Sequence, residues 1–156
     1  MKRVVVTGLG LLTSIGEGHN NSWQNLLAGV SGIKKINHFN TDDLTCKIAG
    51  HLMNDESKFD PLNFLEKKDI KRNDRFIQYG LIAAKMAVDD AGINNLSEEE
   101  NLNIGVSVGS GIGGLETIYN GSITLNEKGP KKISPFFIPS SLVNLLSGQI
   151  SIKYGF

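Results

Sequence analysis

Hydrophobic positions along this chain fall into short runs and helical stripes. Val4, Val5 and Val6 form an unbroken β-branched run, which predicts a buried strand over residues 3–7 ending in a glycine turn at Gly8. Continuous apolar strands belong to sheets covered on both faces, as in a parallel sheet flanked by helices. Asn20 and Asn21 suit a helix N-cap. Trp23, Leu26, Leu27 and Val30 follow at helical spacing, with Gly29 near the end. Residues 31–60 carry Gly32, Asn37, Asn40, Asp42 and Asp43 and read as irregular. Asp60-Pro61 opens a short helix over 62–66. Phe76, Gly80, Ala83, Ala84, Ala87, Val88 and Ala91 lie at i, i+3 and i+4 spacing and predict a long helix over 72–91. That face is mostly small residues, so another helix or a sheet can approach it closely. Gly92 stands where a left-handed cap belongs, and Ser97 with Glu100 fits a capping box. A second strand is predicted over 103–108, a glycine-rich turn over 109–114 and a helix over 115–126, stopped by Gly129-Pro130.

The last segment differs from the rest. From Ile133 to Phe156 the only charged residue is Lys153. A helix over 139–154 would be apolar around most of its circumference, and such a helix must be buried on most sides. Two strands also make a poor sheet, since stable sheets usually have several more. The pattern therefore predicts an α/β chain that is the first part of a larger domain or that needs a partner. It contains no internal repeat and no low-complexity tract.

Composition narrows the function classes. The 156 residues hold 16 Lys+Arg and 16 Asp+Glu. A net charge of zero argues against binding nucleic acid or an acidic membrane, both of which need a positive field. One cysteine cannot form an internal disulfide or a Cys-rich zinc site, which is compatible with the cytoplasm. The basic and apolar start imitates a signal peptide, but Thr7, Gly8 and Gly10 interrupt it and no small-x-small cleavage site follows. It is also far shorter than the roughly 20 apolar residues of a membrane span.

Four groups of residues invite chemistry. Gly109-x-Gly111-x-x-Gly114 matches the dinucleotide fingerprint between a predicted strand and a predicted helix. The acidic residue expected about 20 positions on is absent, because that window reads Gly129-Pro130-Lys131-Lys132-Ile133-Ser134. A tight turn with close backbone packing explains the glycines equally well. Cys46 has Lys47 beside it, which lowers a thiol pKa only slightly, and it reads as an ordinary cysteine. His19, His38 and His51 show no metal-ligand spacing, so no metal is expected. Lys67, Lys68, Lys71, Arg72 and Arg75 cluster around Glu66, Asp69 and Asp74. They make either a solvated helix face or a local docking patch for an acidic or phosphate-bearing partner.

Six stretches in order carry a resemblance. They are Arg3-Val-Val-Val-Thr-Gly-Leu-Gly10, Trp23-Gln-Asn-Leu-Leu-Ala-Gly-Val-Ser-Gly-Ile33, Phe76-Ile-Gln-Tyr-Gly80 and Asp90-Ala-Gly92. Gly105-Val-Ser-Val-Gly-Ser-Gly-Ile-Gly-Gly114 and Ile133-Ser-Pro-Phe-Phe-Ile-Pro-Ser140 complete the set. Together they resemble the N-terminal part of the β-ketoacyl-acyl-carrier-protein synthases of the type II, elongating kind. The resemblance implies a thiolase-like fold, of which residues 1–156 would be the N-terminal portion of a layered α-β-α-β-α arrangement. It implies elongation of fatty acyl chains by decarboxylative condensation of an acyl thioester with malonyl-acyl carrier protein, in a homodimer and without a cofactor. The family's nucleophilic cysteine lies at the N-terminus of a buried helix, and two histidines assist decarboxylation. By the family pattern that cysteine follows Phe156, so the 156 residues alone are expected to be inactive. Cys46, His19, His38 and His51 do not match the family's catalytic positions.

The same resemblance assigns binding roles. Ile112 matches a residue that lines and gates the acyl pocket, and Phe137 an aromatic that reaches toward the partner subunit's acyl pocket. Apolar walls suit an alkyl chain, since burial yields roughly 0.8 kcal/mol per CH₂. Lys68, Lys71 and Arg72 match the basic patch that docks the acidic carrier protein, and the segment 136–154 would lie near the dimer interface. The competing readings are a non-catalytic remnant, a fragment that binds carrier protein or an intact synthase, and a small nucleotide-binding domain.

Overall fold

The computed structural model describes residues 3–52 and 59–156. Helices dominate it. In chain order the elements are β1 (Leu12–Thr13), β2 (Gly16–Glu17), α1 (His19–Leu27), β3 (Ile33–Lys35), β4 (Ile48–Gly50) and a 3₁₀ turn at Pro61–Asn63. Then come α2 (Lys67–Arg72), α3 (Arg75–Ala91), α4 (Glu98–Asn101), α5 (Leu115–Lys128), a second 3₁₀ turn at Pro130–Lys132, α6 (Phe137–Ser141) and α7 (Leu145–Tyr154).

α3 is the axis of the fold. It starts at Arg75, three residues later than the stripe suggested, because Asp74 caps it: the Phe76 N–H donates to Asp74 Oδ1 at 3.2 Å. It ends where Gly92 turns left-handed at φ 69°. Ile77, Leu81 and Ile82 on its inner face are buried with Leu65 and with Leu146 and Ile150 of α7. Ile77 and Ile82 are fully enclosed, and burying a side chain of that size contributes roughly 1.5–3 kcal/mol. Gly80 lets α7 come close, since a Cβ there would lie 2.5 Å from Leu146 Cδ1. The small face of α3 allows a close approach, but the N-terminal segment, in no sheet, takes the place of the helix or sheet expected there. A Cβ at Gly8 or Gly10 would collide with the backbone carbonyls of Ala87 and Ala83. The Leu9 N–H donates to Asp90 Oδ2 at 2.9 Å and fastens that segment near the end of α3.

The strands depart from expectation. Neither 3–7 nor 103–108 joins a ladder among the described residues. Val4, Val5 and Val6 are 94, 57 and 79% exposed. A strand exists by pairing, and among the described residues the sheets are two antiparallel pairs elsewhere: β1 with β2 and β3 with β4. β3 and β4 lie within 31–60, which had read as irregular. α1 begins at His19 after Gly18, with no capping by Asn20 or Asn21. Its apolar stripe stays outside, with Trp23, Leu26 and Leu27 more than half exposed, while Ser22 is buried against Gly16. In place of the helix expected over 62–66 there is only the 3₁₀ turn at Pro61–Asn63, opened as expected by Asp60, whose Oδ1 accepts the Leu62 N–H at 2.8 Å. The long apolar helix expected over 139–154 is two helices, because Leu142 is extended at the end of α6. Leu146 and Ile150 are buried, but Ile138 and Ile152 are not. The capping box holds: the Ser97 N–H donates to Glu100 Oε2 at 2.8 Å, and the Glu100 N–H donates to Ser97 Oγ at 3.3 Å.

Candidate functional site

A cleft of about 430 Å³ opens between the start of α3, the first turns of α5 and the Pro130–Lys132 turn. Lys71, Arg72, Arg75 and Lys132 give it a positive rim, and Phe137 forms part of its wall. The Arg72 guanidinium lies 4.9 Å from the Phe136 ring centroid, a cation–π contact. Phe137 packs on Gly121 of α5, where a Cβ would meet the ring edge at Cδ2 within 2.8 Å. Its carbonyl accepts the Ser140 and Ser141 hydroxyls of the same short helix at 3.2 and 2.5 Å.

The wall is set by a buried carboxylate. Asp74 Oδ1 caps α3, while Oδ2 accepts the Thr117 N–H of α5 at 2.9 Å. Arg75 and Glu116, the neighbours of these two residues, pair at 3.1 Å across the same helices. Gln78 Nε2 donates to the carbonyls of Ile70 and Asn73 at 3.2 and 2.8 Å and ties α2 to α3. Burial raises the Tyr79 phenol above its ordinary pKa.

The residues singled out from sequence are divided by this geometry. Lys71, Arg72 and Phe137 share the cleft, whereas Lys68 does not line it. Lys68 pairs instead with Glu66 at 2.9 Å, and the hydrogen bond raises the lysine pKa and lowers that of the glutamate. Ile112 is 67% exposed, on the loop that leads into α5. Lys132 and Asp74 join the site without having been chosen. Lys132 had appeared only as the place of a missing acid. In the sequence Asp74 reads as one of the acids interleaved with the basic cluster, although an aspartate directly before a helical stripe is a cap signal.

The dinucleotide reading loses its anion site. No strand precedes Gly109, and a Cβ at Gly109 or Gly111 would meet nothing within 4 Å. The N-terminus of α5, where a pyrophosphate would sit, already holds the Asp74 carboxylate. A Cβ at Gly114 would be 3.2 Å from its Oδ2. Cys46 is exposed, in a loop, with its Sγ donating to the Ile48 carbonyl at 3.3 Å. The His38 and His51 rings lie 4.8 Å apart beside a second cavity of about 400 Å³. Among the described residues no group of three or more His, Cys, Asp or Glu gathers as a metal site, and no helix is long and apolar enough to cross a membrane.

Residues 1–156 match the β-ketoacyl synthase N-terminal domain family. The 3-oxoacyl-acyl-carrier-protein synthase 2 of Vibrio cholerae is 47% identical over 154 residues, which is 99% of this chain and 36% of that protein. The chain thus spans about a third of the length of the curated relatives it matches. A β-ketoacyl synthase from Burkholderia phymatum superposes over 99% of the chain and 37% of its own, with TM-score 0.76 and 23% identity. A type II polyketide ketosynthase, solved in complex with its acyl-carrier protein, covers all of this chain with 40% of its own, at TM-score 0.72 and 22% identity. These overlays show the mixed α/β fold of the ketosynthases, the thiolase-like fold, over the whole chain. By its sequence from end to end and by its fold, the chain belongs to the β-ketoacyl synthase family, as the N-terminal domain.

Proposed function

We propose that this chain serves as the N-terminal part of a cytoplasmic, homodimeric condensing enzyme. It elongates fatty acyl chains by decarboxylative condensation of an acyl thioester with malonyl-acyl carrier protein. The observation that carries the reading is the 47% identity to a 3-oxoacyl-acyl-carrier-protein synthase 2 across 99% of the chain. The positive rim of the cleft, with Lys71, Arg72 and Lys132, supports an acidic carrier protein as the partner, and the ketosynthase solved with its carrier protein adds a precedent of the same fold. In this reading Lys68, Lys71 and Arg72 attract the carrier electrostatically, and Ile112 and Phe137 contribute apolar surface to the acyl pocket. Cys46 is not the nucleophile. It is exposed and lies away from any helix start, where a dipole and backbone N–H groups would favour a thiolate. A stretch of these 156 residues alone is therefore expected to show no condensation.

The test is elongation of an acyl-carrier substrate by the full-length protein as its cells make it, followed by mass spectrometry of the product. Elongation by one two-carbon unit is expected, and its absence would overturn the reading. Reversing Lys68, Lys71 and Arg72 to Glu should raise KM for the carrier about tenfold or more, equal to about 1.4 kcal/mol, and flatten its salt dependence. An unchanged KM would reduce the patch to a solvated face.

A further inference from the structure

We infer that Asp74 is a positioning residue that fixes the Ile112 loop relative to the carrier-docking helix. This rests on the proposed condensing function. Asp74 lies two residues after the end of α2, which carries Lys68, Lys71 and Arg72. It is only 8% exposed, and its two oxygens serve different helices. Oδ1 holds the first turn of α3 and Oδ2 the first turn of α5, 43 residues further along the chain. α2 is itself locked to the start of α3 by Gln78. A continuous set of hydrogen bonds therefore runs from the docking helix, through Gln78 and Asp74, to Thr117.

The loop that bears Ile112 ends against this carboxylate. Gly114 has no room for a side chain: a Cβ would fall 2.6 Å from Ser141 Cα and 3.2 Å from Asp74 Oδ2. Gly113, next to Ile112, takes φ 84° and donates its N–H to Ser110 Oγ at 3.1 Å. The Gly114 N–H donates to the Ser141 carbonyl at 3.0 Å. The loop is thus pinned at its α5 end by α6 and Asp74, while Ile112 itself stands free of the packing. Moving α5 by loss of the Oδ2 bond shifts the loop's base and with it the distance between gate and docking patch. An ordinary cap on one helix would not have this reach.

Asp74→Asn is the informative change. The amide keeps the shape and one acceptor but presents an N–H₂ where the second acceptor stood. In the full-length protein it should change the ratio of kcat/KM for a long against a short acyl-carrier substrate by about fivefold or more, while KM for the carrier moves less. Asp74→Glu should restore the ratio at least in part, because it keeps both acceptors. Amide exchange supplies a readout that needs no activity: protection at Thr117 and along 109–114 should fall in Asp74→Asn, with 33–50 unaffected. An unchanged chain-length ratio together with unchanged protection at 109–117 would overturn the inference. So would a uniform loss of kcat for every chain length, which marks a merely structural role. Failure of the wild-type protein to elongate any acyl chain would instead remove the functional reading beneath it.

Discussion

The inner face of α3 and the segment at 3–7 are both apolar, yet they end up in opposite surroundings. Ile77 and Ile82 are fully enclosed, whereas Val4 and Val6 are 94 and 79% exposed. The difference lies in where each finds its backbone partners. A helix satisfies its N–H and C=O groups within itself and needs only a neighbour for one stripe, here α7. A strand must borrow every partner from another strand. Residues 103–108 lie between these extremes: Ile104 and Val106 are half-buried, with Val106 packed on the core, while Gly105, Ser107 and Val108 are exposed.

The largest effect expected from this contrast comes from truncation. Ile82→Ala should destabilise the protein by about 2–5 kcal/mol, through lost burial and the cavity left behind. Val4→Ala should cost less than about 0.5 kcal/mol in the isolated chain. Urea unfolding of both variants tests the pair, and a cost at Val4 equal to that at Ile82 would mean that the N-terminal run is covered after all. Next in size is Gly10→Val, which places two methyl groups and a Cβ against the Ala83 carbonyl. Overpacking of this kind costs about 1–3 kcal/mol. If thermal melting shows no loss, the N-terminal segment does not lie on α3.

The smallest effect concerns α4, which stands by local bonds. Backbone and hydroxyl hydrogen bonds from Ser97 hold the Glu100 carboxyl below the usual glutamate range. A depressed folded pKa contributes stability above the unfolded pKa, and that contribution fades as pH falls through the folded value. Protection of the Ser97 amide should therefore weaken as pH falls below the ordinary glutamate range and become independent of pH in Glu100→Gln. The same pH response in the variant would rule out the capping box as its origin.

What the sequence disclosed follows the same division. The end of α3 at Gly92, the Ser97–Glu100 box and the stop at Gly129 are local signals, and each was readable from a few neighbouring residues. β3 and β4 were not readable, because Ile33–Lys35 and Ile48–Gly50 are three-residue strands with no buried position and no clean alternation. The break at Leu142 was missed because an apolar run hides a helix boundary when Gly and Pro do not mark it. In the candidate site, the resemblance brought Lys71, Arg72 and Phe137 forward, and the cleft gathers all three. Asp74 escaped because half of its role depends on Thr117, whose approach no local pattern announces.

The contact of Gly8 and Gly10 with Ala83, Ala87 and Ala91 carries a consequence for how this domain can change over time. Bare backbone on one side and methyl groups on the other set the spacing, so neither side can enlarge while the other stays. Substitutions at these five positions should be strongly non-additive. A larger residue on α3 would be tolerated only if the N-terminal segment were re-routed as a whole. Drift at these sites would then proceed by rare coordinated steps rather than by independent single replacements.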